Sequence, residues 1–152
     1  MSLRTSTLVA VAIVAALHAA PASAQASAKL TWGPVPPVLP AGAKMAVVSG
    51  DPGKAAPFVL LLDLPSGYVV PPHSHPTDEN ITVKSGRFGY AMGDKIDAKQ
   101  TKYLKPGQSV SLKTNMNHYA QAKGHTIVQL SSMGPFSITY VNPADDPSKM
   151  KP

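Results

Sequence analysis

The sequence contains no cysteine. This absence excludes disulfide bonds, cysteine-based zinc sites and a thiol nucleophile. It also means that the folded state must be held together by its apolar core, or by a core together with a bound metal ion.

The sequence also lacks a block of like charge. It has 14 lysine and arginine residues against 8 acidic residues, and the basic residues are dispersed from one end of the chain to the other. Dispersed charge is typical of a solvated surface, whereas nucleic-acid binding requires a clustered basic patch with interleaved aromatic residues. We therefore expect no nucleic-acid partner.

The longest uninterrupted apolar stretch, Leu8 to Leu17, is too short to span a bilayer, since a spanning helix needs about 20 apolar residues. Arg4 precedes this stretch, and the small residues from Ala22 to Ala24 follow it. This order is typical of a secretory signal. It predicts that residues 1–24 are removed, that the mature chain is periplasmic or secreted, and that it has no membrane span.

Proline divides the remainder of the chain. Residues 25–43 contain four prolines, and because proline fixes φ and lacks an amide donor, we expect an extended arm here. Residues 44–142 read as short apolar runs separated by turn residues, with no long segment of helical period, and the predicted strands include Tyr68–Val70 and Phe136–Val141. This pattern favours an all-β sandwich or barrel. Residues 143–152 are polar, and we expect a flexible tail.

The candidate functional residues are histidines, together with one glutamate. His73 and His75 point to the same side of an extended chain, because side chains on a strand alternate between faces. Glu79 shares their parity if the chain stays extended, although Pro76 favours a turn. His118 follows a polar turn that a barrel can bring opposite this pair. Imidazoles and a carboxylate that converge in this way form a divalent-metal site. His125 reads instead as a loop histidine, and Asp78 reads as a turn residue.

The stretch around the histidine pair resembles the first sequence motif of the cupin superfamily. That motif reads Gly, five residues, His-x-His, three residues, Glu, six residues, Gly, and every fixed position is met, by Gly67, His73, His75, Glu79 and Gly86. The second cupin motif is met in part. Gly107 and His118 have the expected separation, whereas Lys113, Asn115 and Ala122 stand where proline, glycine and asparagine are usual.

The resemblance implies an all-β double-stranded β-helix, a jelly-roll barrel, over residues 44–142. It also implies one divalent transition metal held by His73, His75, Glu79 and His118, or by the three histidines alone with Glu79 as a neighbouring or solvent-facing acid. Ligand type narrows the ion to iron, manganese, nickel, copper or zinc. Small cupins commonly dimerise, and the arm of residues 25–43 suits a homodimer.

Three functions follow as hypotheses. The first is a metal-dependent oxygenase or isomerase that acts on a small oxygen-rich organic molecule, since an ion with an open position can polarise a chelating ligand or activate dioxygen. The second is a non-catalytic module that binds or senses a small ligand or a metal. The third is a structural cupin, because fold alone does not decide function.

Overall fold

The computed structural model describes residues 30–150. The predicted signal of residues 1–24 lies outside the described residues, as do the first five residues of the predicted arm and the last two of the chain. Within residues 30–150, no helix is long and apolar enough to cross a membrane.

Eleven strands and two single-turn 3-10 helices account for the regular structure of residues 30–150. The strands are β1 (Gly33–Pro34), β2 (Lys44–Ser49), β3 (Pro57–Leu64), β4 (Val69–Ser74), β5 (Glu79–Ser85), β6 (Phe88–Met92), β7 (Lys102–Leu104), β8 (Ser109–Leu112), β9 (His118–Ala122), β10 (Thr126–Met133) and β11 (Thr139–Tyr140). The 3-10 helices are Pro143–Asp145 and Pro147–Lys149.

The strands form two antiparallel sheets. The first has the order β1-β2-β3-β10-β5-β8 and the second β11-β4-β9-β6-β7. Several neighbours are distant in sequence, such as β3 with β10 and β4 with β9, because the chain crosses repeatedly from one sheet to the other. The predicted all-β jelly-roll fold is confirmed.

The core lies between the two sheets, where apolar side chains alternate inward along the central strands. In β3, Phe58, Leu60 and Leu64 are buried, and in β10 Val128 and Leu130 meet them from the neighbouring strand. Both strands are short apolar runs bounded by turn residues, which explains why the sequence predicts their position well.

One strand continues through two prolines. The sequence predicts that the strand beginning near Tyr68 ends at Val70, but β4 extends to Ser74. The pairing of β4 with β9 shifts register between Val70 and His73. Pro71 and Pro72 occupy this irregularity, where the missing amide donors cost no ladder hydrogen bond. In the other direction, the strand predicted over 136–141 is reduced to Thr139–Tyr140.

The described part of the proline-rich arm bridges the two sheets at one edge. β1 pairs with β2 of the first sheet. Beyond β1, the hydroxyls of Tyr140 in β11 and of Tyr68, just before β4, donate hydrogen bonds to the carbonyls of Val38 at 2.8 Å and Pro40 at 2.5 Å. Because β1 and β2 form one edge of the first sheet and β11 one edge of the second, this segment closes the gap between those edges.

Candidate metal centre

The four predicted metal-site residues lie close together inside the barrel. His73 is in β4, His75 follows the end of that strand, Glu79 begins β5 and His118 begins β9. All four are buried, with exposed fractions of 3%, 4%, 6% and 1%. The site therefore lies out of bulk water, between strands of both sheets.

Strand pairing brings the distant histidine to the motif pair. His73 is the direct partner of His118 in the antiparallel pairing of β4 with β9, and their ring centroids are 4.4 Å apart. The ring of His75 lies 4.9 Å from that of His73 and 5.3 Å from that of His118. One nitrogen from each ring falls within 4.8 Å of the other two, so the three histidines could hold an ion.

A backbone carbonyl fixes the tautomer of each histidine. A carbonyl oxygen only accepts a hydrogen bond, so the Nδ1 atom that contacts it must carry the proton, and Nε2 keeps a free lone pair in the neutral ring. Second partners of this kind orient metal-binding histidines. The three contacts are His73 Nδ1 to Pro71 O at 2.6 Å, His75 Nδ1 to Ser137 O at 2.8 Å and His118 Nδ1 to Met116 O at 3.0 Å.

The Nε2 atoms of His75 and His118 are buried and have no hydrogen-bond partner. They lie 3.7 Å and 3.6 Å from the two carboxylate oxygens of Glu79, which is too far for a hydrogen bond. A single proton could bridge only one of the two pairs, His75 Nε2 with Glu79 or His118 Nε2 with Glu79. A cation between the rings and the carboxylate would satisfy all of these atoms at once, so the residues fit a metal ion.

The protonation states suit such an ion. Burial, reinforced by the neighbouring rings of His118 and His75, lowers the pKa of His73 from its usual 6.5 to about 3. Burial also lowers the pKa of His75. For Glu79 burial acts to raise the pKa, but its contact with His118 and the nearby imidazoles outweigh burial and hold the pKa below the usual range. Neutral imidazoles and an ionised carboxylate are the forms that bind metals.

A network outside the site fixes the loop before His118. The carboxylate of Asp78 accepts hydrogen bonds from Lys113 Nζ at 2.7 Å and from the amide and hydroxyl of Thr114, each at 2.9 Å. The next amide, of Asn115, donates to the carbonyl of His75 at 2.8 Å. The sequence identifies Asp78 only as a turn residue, because nothing in its spacing reveals a contact with a loop 35 residues away.

Two further neighbours of the histidines are not predicted from the sequence. Phe136 stacks on His75 with ring centroids 4.9 Å apart, and Ser137 uses only its backbone carbonyl. A carbonyl contact has no side-chain signature, so no sequence pattern could identify Ser137. His125 lies away from the site, where its Nε2 contacts Asp63 at 2.6 Å on the surface.

The site opens into a cavity of about 380 Å³ between the sheets. His73, His75 and Glu79 form its polar end, and most of the remaining lining is aliphatic. This volume lies within the range of small-molecule pockets, which combine an apolar lining with a few convergent polar groups. The geometry therefore combines a candidate cation site with room for an organic molecule beside it.

Comparison with known proteins shows that other proteins have the same fold as this chain. Residues 60–134 match the sequence model of the family described as the cupin domain. Among solved structures, KdgF from a Halomonas species is 20% identical, with a TM-score of 0.52 over 68% of this chain and 86% of that one. No match is found among curated proteins.

Two further solved structures are similar over more of the chain. A candidate acetylacetone dioxygenase from Methylibium petroleiphilum is 17% identical, with a TM-score of 0.61 over 77% of this chain and 78% of that one. The polyketide cyclase RemF from Streptomyces resistomycificus is also 17% identical, with a TM-score of 0.57 over 70% of this chain and 76% of that one. At such identities the similarity shows the fold alone.

Proposed function

The chain belongs to the cupin superfamily, and from this premise we propose that it is a metal-dependent enzyme of the oxygenase or isomerase type that acts on a small oxygen-rich organic molecule. The proposal rests on one observation. The unpartnered Nε2 atoms of His75 and His118, together with His73 and Glu79, converge at the polar end of an apolar cavity. Proteins with this fold include some whose names describe enzymes of small organic molecules.

In the proposed enzyme, His73, His75 and His118 hold one divalent transition metal through Nε2, and Glu79 completes or adjoins the set. When bound, such an ion acts as a Lewis acid on a chelating oxygen or, if it is iron, allows dioxygen chemistry. The carbonyls of Pro71, Ser137 and Met116 keep the imidazoles in the correct tautomer. The aliphatic walls exclude water and orient the organic part of the substrate.

Glu79 is the side chain best placed to move a proton. It is the one carboxylate at the polar end of the cavity among the described residues, and it lies 3.6 Å from His118 Nε2. A carboxylate there can accept a proton from carbon next to a carbonyl group, provided that the substrate lies within hydrogen-bond reach. Protein loaded with cobalt(II) distinguishes two roles of Glu79, metal binding and proton transfer. Glu79→Gln should change the visible absorption spectrum of the bound cobalt only if Glu79 binds the metal.

The test begins with metal content. Elemental analysis of protein purified from its native compartment should give one transition-metal ion per chain in the wild type and in His125→Ala, but not in His118→Ala. The loaded protein is then assayed with 1,3-diketones and catechols, using an oxygen electrode for oxygenation and proton exchange in deuterated water for isomerisation. If one metal ion is bound but no compound is turned over, the enzymatic proposal is rejected.

One observation favours the alternative, a non-catalytic module that binds a small ligand or a metal. Outside the metal centre, the polar side chains of the cavity lining are Asp51, Tyr68 and Gln121, and each is hydrogen-bonded within the protein. A catalytic site usually has a further acid or base near the ion. Ligand-induced stabilisation without turnover would support this alternative.

We further propose that the protein is exported to the periplasm or secreted. The support is the order of Arg4, the apolar run from Leu8 to Leu17 and the small residues from Ala22 to Ala24. Intact-mass measurement of exported protein tests this proposal, and a mature chain that begins at Gln25 is the expected result.

A homodimer is also proposed. Val47 and Val48 in β2 are 42% and 48% exposed, and β1 pairs only with Lys44 and Met45 of that strand. A partly uncovered apolar edge strand is a site for pairing with another chain. Analytical ultracentrifugation of the wild type and of Val48→Lys tests this, with the monomer expected for the variant.

A further inference from the structure

The segment after β1 forms a strap that covers the cavity, and we define this strap as residues 35–43. The amide of Val35 donates to the carbonyl of Ala43 at 3.4 Å, so the strap is a closed loop at its base. The hydroxyls of Tyr140 in the second sheet and of Tyr68, just before β4 of that sheet, bind its middle at Val38 and Pro40. The strap is therefore fixed to both sheets rather than to one.

Four strap residues face the cavity. Val35, Pro36, Val38 and Leu39 are half-buried and belong to its lining. The lining also includes aliphatic residues of the central strands: Leu60, Leu62, Leu64, Ile81, Val128 and Leu130. A molecule in the cavity would therefore contact both the strap and the barrel.

The cavity is long enough for more than a metal-binding head group. Its lining runs along β4 from Tyr68 to His73, and five residues of extended chain span roughly 16 Å. At roughly 30 Å³ per water-sized group, a volume of about 380 Å³ accommodates on the order of a dozen non-hydrogen atoms.

The lining beyond the metal centre offers few polar contacts. Tyr68 donates its hydroxyl proton to Pro40, Gln121 donates to Tyr103, and Asp51 accepts from the amide of Gly53. An additional polar group on the ligand would lose its hydrogen bonds to water here, and burying an unpaired polar group is unfavourable. The chemistry of this part of the cavity matches a hydrocarbon.

We infer that the substrate joins a chelating oxygen head group to an alkyl or aryl body of several carbons, and that Val38 and Leu39 of the strap set the permitted length of that body. The inference about the chelating head group rests on the proposed function. The inference about the alkyl or aryl body rests only on the strap and the aliphatic lining of the cavity. The strap is thus the wall that determines substrate specificity.

The experiment uses zinc-loaded protein, because zinc is redox-inert and binding can be measured without oxidation. Isothermal titration calorimetry follows a series of 1,3-diketones from pentane-2,4-dione to undecane-2,4-dione. Each added methylene group should lower the dissociation constant about fourfold until the cavity is full, after which the constant should rise.

Matched variants test whether Leu39 limits the chain length of the ligand. Leu39→Trp should move the tightest-binding member of the series to a shorter chain, and Leu39→Ala should move it to a longer one. Ile96→Ala is the control, since Ile96 is 49% exposed and lies outside the cavity lining. Its optimum should equal that of the wild type.

The outcomes separate this inference from the proposed function. If pentane-2,4-dione binds but affinity does not change along the series, or if the optimum does not move in the Leu39 variants, the strap inference is overturned and the metal site stands. If no diketone binds, the proposed chelating site fails. Metal-free protein is then titrated with 1-alkanols from hexanol to decanol, where a chain-length optimum that moves in Leu39→Trp supports the strap and a flat series overturns it.

Discussion

Asp78 and Glu79 are consecutive in the chain, but their carboxylates lie in opposite environments. The Asp78 side chain is 42% exposed and contacts Lys113, whereas that of Glu79 is 8% exposed and faces His75 and His118. The hydrogen bond from Lys113, with those from Thr114, lowers the pKa of Asp78 to about 2. Glu79 therefore belongs to the candidate site, whereas Asp78 anchors the loop that precedes His118.

The first prediction concerns that loop. Asp78→Ala removes all three hydrogen bonds to Lys113 and Thr114, so the carbonyl of Met116 that orients His118 becomes less well fixed. We expect zinc affinity to fall by roughly tenfold, as is usual when a partner behind a metal ligand is lost. Competition with a chromophoric chelator measures this affinity.

Asp78→Asn supplies an intermediate case, because an amide oxygen can still accept from Thr114 but does not attract Lys113. Asp63→Ala removes an acidic side chain that contacts His125, away from the site, and should leave the affinity unchanged. Equal affinities in the wild type and in Asp78→Ala would show that the loop needs no such anchor.

The second prediction concerns stabilisation by metal. An ion that binds only the folded state raises the free energy of unfolding, by about 2.7 kcal/mol at a hundredfold excess over the dissociation constant. We expect zinc to raise the melting temperature of the wild type and of His125→Ala. In His73→Ala and His118→Ala the increase should disappear. An unchanged increase in His118→Ala would remove that residue from the site.

The third prediction is a pH dependence of the metal-free protein. Burial lowers the pKa of His73 from 6.5 to about 3 and also lowers that of His75. Above pH 6.5 both residues are neutral whether the chain is folded or unfolded, so their titration contributes nothing to stability. Below pH 6.5 the unfolded chain takes up protons that the folded protein excludes.

Stability should therefore fall as the pH decreases below about 6.5, by up to about 1.4 kcal/mol per pH unit for each histidine that stays neutral in the folded protein, and for His73 this range extends towards pH 3. Urea unfolding in the presence of a chelator, repeated at several pH values, measures the slope. His73→Gln should have a shallower slope. A stability that stays level over this range would mean that the imidazoles titrate freely in the folded state.

The parts of the fold that the sequence predicts are those governed by local pattern. Apolar runs bounded by turn residues identify the core strands β3 and β10. Asn115 stands where the cupin motif has glycine, and asparagine tolerates a left-handed turn better than other residues with a side chain. Its φ of 57° lies in that left-handed region. The histidines are identified because their residue type and spacing are specific to metal binding.

The parts that the sequence does not predict depend on contacts between distant segments. The continuation of β4 through Pro71 and Pro72 requires knowledge that β9 shifts register there. Asp78 anchors Thr114, which lies 36 positions away in the sequence. Tyr140 anchors Val38, which lies 102 positions away. No local periodicity encodes such pairs, so only the folded structure reveals them.

The last prediction concerns the tyrosine that ties the strap to the second sheet. Tyr140 is the direct partner of His73 in the pairing of β11 with β4, and its hydroxyl donates to Val38 O at 2.8 Å. Tyr140→Phe keeps the ring and removes one hydrogen bond, so the free energy of unfolding should fall by about 1 kcal/mol. The amides of residues 35–43 should exchange faster with deuterium, since the strap loses one of its two tyrosine contacts.

The matched control is Tyr103→Phe, which also loses one side-chain hydrogen bond, from Gln121 at 2.6 Å, but does not touch the strap. It should leave exchange in residues 35–43 unchanged. Zinc affinity should be the same in both variants, because neither removes a candidate ligand or its carbonyl partner. If Tyr140→Phe instead weakens zinc binding and leaves strap exchange unaltered, then Tyr140 acts on His73, whose ring centroid lies 5.9 Å away, and not on the strap.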